Sequence, residues 1–129
     1  MLKLADDTHK DTTISKEGHK VAMRWTEKLV QEGFTAISTT FLENYAALTI
    51  SSPEAILIVH LMSFKWDSRH PFPSLTTLAR RMGISTTAVR SHARSLEKKG
   101  FLHRLQRQGS TNEFDLTPLF VSLEASVKN

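Results

Sequence analysis

The chain has 129 residues, 40% of them hydrophobic, enough for one compact domain with its own core. It has no run of 18 apolar residues, which excludes a helical membrane span, and no cysteine, which excludes disulfides and thiolate metal sites. The net charge of +4 is uneven: residues 65–107 hold ten basic and two acidic side chains (+8), and the rest of the chain holds seven and eleven (−4), so either a polyanionic partner or a plain solvated face is expected at that segment.

Residues 1–20 are polar, mixed in charge and without apolar periodicity, as in a flexible tail. Residues 21–50 form an N-terminal extension. Val21, Ala22, Trp25, Leu29 and Val30 suit one face of a helix over 21–32 that stops at Gly33, with a strand over 20–25 as the alternative. Trp25 is expected half-buried, in core packing or at a dimer contact. Residues 34–38 (FTAIS) alternate like a short strand. Thr39 or Thr40 then caps a short helix over 41–48, with Phe41, Leu42, Tyr45 and Ala46 inward.

Residues 51–129 form the main domain. Ser52-Pro53-Glu54 is a helix start: a hydroxyl cap, proline in the first turn, then an acid facing the positive helix end. The helix runs to about residue 65, is apolar nearly all round and belongs at the centre of the core. His60 lies inside it; a lone histidine there is more often packed than functional. Pro71 and Pro73 forbid helix in the next stretch, DSRHPFP, and Phe72 between them is expected to plug into the core.

Two helices joined by a tight turn follow. Ser74 caps the first, Leu75, Leu78, Ala79 and Met82 form its buried face, and Gly83 ends it. Ile84 pins the turn. Ser85 caps the second, which stops at Gly100. Val89, Ala93 and Leu96 make one narrow apolar stripe. Thr87, Arg90, Ser91, Arg94 and Lys98 lie together on the opposite face. Hydroxyls and guanidiniums on one exposed face suit a DNA major groove. Residues 101–107 and 113–116 alternate on either side of a glycine-containing turn, as in a β-hairpin. Its basic rising strand matches a wing that reaches phosphates. Thr117-Pro118 starts a last helix, 119–127, whose stripe of Leu119, Phe120, Leu123 and Val127 is a packing or dimerisation surface.

Catalytic patterns do not appear. The six histidines are scattered, no HExxH or GxSxG motif occurs, and the five glycines stand singly, so no phosphate-cradling loop forms. We therefore expect a binding protein, not an enzyme, with no cofactor, no metal and no small-molecule ligand. With no cysteine, a reducing cytoplasm is the simplest compartment to expect, and the order of residues at the N-terminus is not that of a signal peptide.

Leu48, Ser51-Ser52-Pro53-Glu54-Ala55, Ser63-Phe64-Lys65-Trp66, Phe72-Pro73-Ser74, Leu78-Ala79, Met82-Gly83-Ile84-Ser85, Val89, His92 and Leu96-Glu97-Lys98-Lys99-Gly100 carry a resemblance. The stretch 48–120 resembles the winged helix-turn-helix domain of bacterial plasmid and phage replication initiators and of DnaD-type primosome proteins. The resemblance implies an α+β, mostly α fold: a three-helix core plus a β-hairpin wing, with extra N-terminal and C-terminal helices. It also implies sequence-specific binding of double-stranded DNA, in transcription regulation or replication initiation. Base contacts would fall to Thr86, Thr87, Arg90, Ser91 and Arg94. Phosphate contacts would fall to Ser85, Lys98, Arg104 and Arg107. A homodimer reading two half-sites is expected, joined through the terminal helices. The competing expectation is a protein–protein interaction or oligomerisation module of a primosome-like assembly.

Overall fold

The computed structural model describes residues 15–107, 109 and 112–127. Most of the tail expected over residues 1–20 lies outside these. The chain divides into two compact units, residues 1–36 and 37–129.

Among its described residues the first unit holds two short helices, α1 (Lys16–Ala22) and α2 (Glu27–Gln31), which pack on each other. The single helix expected over 21–32 is therefore corrected to two. Thr26 is the reason: its backbone is extended and its Oγ1 accepts from the Leu29 amide at 3.1 Å, so it caps a new helix. Ser15 likewise caps α1, and residues 16–20, expected in the tail, are helical. Trp25, between the helices, is 67% exposed and not half-buried. Residues 34–38 form no strand.

The second unit opens with α3 (Thr39–Asn44), capped by Ser38 and not by a threonine. Phe41 is buried and Tyr45 stacks on it at 5.4 Å, but Leu42 and Ala46 face outward. Phe41 and Ile50, which the sequence places in an extension, belong to the main core.

Helix α4 (Ser52–Ser63) begins one residue earlier than its sequence suggests. Ser51 is the cap, because Glu54 three residues on completes a capping box: Ser51 Oγ accepts from the Glu54 amide, and Glu54 Oε1 accepts from the Ser51 amide at 2.8 Å. Leu57, Ile58 and Leu61 are buried, whereas Ile56 faces solvent. The helix is central on one side only.

Helices α5 (Leu75–Met82) and α6 (Thr86–Lys98) pack on α4 and on each other. Leu78, Val89, Ala93 and Leu96 reach zero exposure between them. The chain then forms strands β1 (His103–Leu105) and β2 (Glu113–Asp115), paired antiparallel with Arg104 opposite Phe114. Phe114 and Leu116 carry the hairpin side chains into the core. Helix α7 (Thr117–Ser126), with Pro118 in its first turn, closes against α3 and buries Leu119 and Leu123. The whole is α+β, mostly α: a three-helix core with a hairpin, the winged-helix-like arrangement.

Loop 67–73 holds a reversal of expectation. Pro71 and Pro73 are buried, and the Pro71 carbonyl accepts from the Phe114 amide at 2.8 Å. Phe72 between them is 54% exposed. In extended backbone successive side chains point to opposite sides, so burying both prolines turns the phenylalanine outward.

Candidate nucleic-acid interface

Gly83 sets the angle between α5 and α6. Its φ is +69°, a left-handed conformation, and the Ile84 amide reaches back to the Ala79 carbonyl at 3.1 Å. A Cβ at Gly83 would meet nothing within 4 Å, so conformation and not space demands glycine. Ser85 then caps α6, its Oγ accepting from the Ala88 amide at 3.0 Å. The Ser85 hydroxyl is thus engaged within its own helix.

With Val89, Ala93 and Leu96 fixed inward, the opposite face of α6 points out. Thr87, Ser91, Arg94 and Lys98 are exposed; Thr86 and Arg90 are half-buried at its edge. No ion pair to a described residue engages Arg90, Arg94 or Lys98. The helix thus presents hydroxyls and uncompensated cations on one face, as its sequence implies.

Five other cations of the basic segment are engaged by groups of the protein itself. Arg104 Nη2 lies 2.9 Å from Glu97 Oε1, and the arginine side chain is only 16% exposed. Arg107 lies with its guanidinium 4.2 Å from the Phe72 ring centroid and its Nε 3.7 Å from Glu113 Oε2. Lys99 Nζ sits 2.7 Å from Glu54 Oε1 and also donates to the Thr49 carbonyl. Arg81 covers Phe64 at 4.4 Å and donates to Ser63 Oγ. Arg69 pairs with the neighbouring Asp67 at 2.8 Å. Arg104 and Arg107, expected to meet phosphates, are therefore both held by the protein itself.

The Glu54–Lys99 pair was not visible as a unit in the sequence. Burial would raise the Glu54 pKa. Hydrogen bonds from Lys99, Ser95 and the Ser51 amide outweigh it and hold the carboxyl down, from 4.5 to about 2. The His60 pKa is held below its ordinary value by burial and by nearby Arg81. Among the described residues no group of histidines and acids is placed to hold a metal ion, and no helix is long and apolar enough to cross a membrane.

The family described as the DnaD N-terminal domain matches residues 37–129, the same span as the second compact unit. The chain belongs to the DnaD N-terminal domain family. A crystal structure of the N-terminal domain of DnaD from Geobacillus kaustophilus HTA426 superposes with a TM-score of 0.60. The two chains are 26% identical, and the match covers 88% of this chain and 90% of that one. No curated protein matches the sequence. The DnaD part of the resemblance seen in the sequence is thereby established, together with the fold. DnaD membership fixes the frame for α6 but leaves its partner to be argued from its surface.

Proposed function

We propose that this chain is a self-associating module of a DNA-replication assembly that holds double-stranded DNA through the exposed face of α6. One observation carries the DNA reading: Thr87, Ser91, Arg94 and Lys98 share an exposed helix face whose cations no described carboxylate neutralises. Arginine there fits the O6 and N7 acceptors of guanine, and the hydroxyls suit either bases or phosphates. Thr86 and Arg90 border the face and complete the base-contacting set. Lys98 and the α6 end capped by Ser85 meet phosphates.

The hairpin contributes less to this reading than its charge suggests, since Arg104 and Arg107 must first give up internal partners. A single helix face buries little area and binds weakly. Self-association supplies the second contact, and a homodimer spanning two half-sites is the simplest form. DnaD membership supports replication over transcription regulation as the setting, in the cytoplasm. In this reading the protein binds and does not catalyse.

A second reading, a protein-interaction module without DNA contact, is favoured by a different feature. Leu42 on α3 and Val121 on α7 are both exposed on helices that pack together. One titration separates the two. Labelled duplex is titrated with protein at rising salt while sedimentation reports assembly. The DNA reading expects binding that weakens steeply with salt and weakens further in Arg94→Ala. Assembly without duplex binding at low salt leaves only the second reading.

A further inference from the structure

Helix α6 carries three lysines and arginines and a single acid, Glu97, in its last turn. The C-terminal end of a helix is its negative end, so helix formation itself disfavours a carboxylate there. Glu97 follows Arg94 by three residues, a spacing at which the two could pair along the helix. It turns to the hairpin instead, and its Oε1 accepts from Arg104 Nη2 at 2.9 Å. Arg104 stands opposite Phe114 in the β1–β2 register, and Phe114 is buried, so Arg104 lies on the inner face of the hairpin. Both side chains of the pair keep some exposure, and pairs of that kind add little to stability. A carboxylate and a phosphate offer a guanidinium the same kind of paired oxygen acceptors. Glu97 therefore occupies Arg104 in the way a backbone phosphate would.

We propose that Glu97 is an internal competitor for duplex phosphate: it withholds Arg104 from the DNA backbone and so holds down the affinity for duplex of any sequence. The inference rests on the duplex-binding reading above and adds how that site is restrained. Phosphate contacts raise affinity for every sequence alike, and each adds to the salt dependence. A duplex seated on α6 gains Arg104 only by exchanging carboxylate for phosphate. That exchange leaves the Glu97 carboxylate without its cation and close to a polyanion, which opposes it. One copy thus grips duplex through α6 alone, and firm binding falls to several copies acting together. Arg107 is held separately, by Phe72 and Glu113, so loss of Glu97 frees one cation and not two.

The test is an anisotropy titration of a labelled mixed-sequence duplex across a salt series. Glu97→Gln keeps the shape of the side chain and removes its charge, and a thermal melt confirms that the variant folds. It should bind more tightly than the parent at low salt, with a salt slope steeper by about one unit. Arg104→Ala alone should match the parent slope, and Arg104→Ala added to Glu97→Gln should remove the gain. The proposal is overturned if Glu97→Gln leaves the slope unchanged. It is also overturned if the gain survives in the double variant, which would make it the mere loss of a repelling charge. A slope lowered by Arg104→Ala alone would show the contact already made and overturn it likewise. Arg94→Ala tests the α6 reading separately. If Arg94→Ala binds as tightly as the parent while Glu97→Gln steepens the slope, the α6 reading falls and the restraint on Arg104 stands. If neither the parent nor Glu97→Gln binds duplex at low salt, both fall.

Discussion

The middle of α6 and its C-terminal end are equally basic in sequence and differ in what their charge does. Arg94 faces outward and Arg90 lies half-buried beside it, neither paired with a described carboxylate. At the end of the helix and in the hairpin, Lys99 closes on Glu54, Arg104 on Glu97, and Arg107 on Phe72 and Glu113. In the proposed reading the first region is the one that meets a polyanion. The second ties the hairpin, α6 and the start of α4 together. A count of basic residues treats the two alike; only the second region uses its charge to hold the fold.

The sharpest way to break this contrast is at Lys99. Lys99→Ala leaves the buried Glu54 carboxylate without its cation, and a loss of about 3 kcal/mol is expected in a urea or thermal melt. A comparable loss in Arg94→Ala would erase the distinction between the regions. Acid probes the same pair. The Glu54 pKa is depressed on folding, so its stabilisation is complete above pH 4.5 and disappears as the pH falls towards 2. The drop corresponds to about 3 kcal/mol at 1.36 kcal/mol per pH unit. Melting temperatures recorded from pH 6 to about pH 2 should trace that loss, and Glu54→Gln should flatten it.

On the outward region, Arg94→Ala and Arg90→Ala should each weaken duplex binding by about 1–3 kcal/mol in an anisotropy titration, with little change in melting temperature. Gly83→Ala should cost about 1 kcal/mol of stability, since alanine is strained at a φ of +69°. The smallest effect is expected at Arg104. Arg104→Ala removes a partly exposed ion pair worth about 0.5 kcal/mol and should leave the salt slope of duplex binding unchanged. A slope lowered by about one unit would instead return Arg104 to the phosphate-contacting set.

Much of the domain was legible in its residues because the signals were local. Ser74, Gly83 and Ser85 are caps whose partners lie within a few residues. The stripe of Val89, Ala93 and Leu96 repeats at helical spacing, and its opposite face follows from geometry alone. The hairpin announced itself by alternation around a glycine turn. The misread segments carried weaker or competing signals. Over 21–32 the apolar spacing favoured one helix, but a threonine cap divided it. At Phe72 hydrophobicity suggested burial, but the two flanking prolines took the inward positions.

What the sequence determined by itself was therefore the helix-turn-helix, its hairpin and the outward face of α6, since turns, caps and helical periodicity depend on near neighbours. Which cations remain available was decided only by tertiary structure. Arg104 meets Glu97 from seven residues away, and Lys99 meets Glu54 from 45. The exposure of Trp66 and Phe72 was likewise settled by which groups the packed core left outside. Whether a charge is paired or a ring exposed depends on groups that only folding brings within reach.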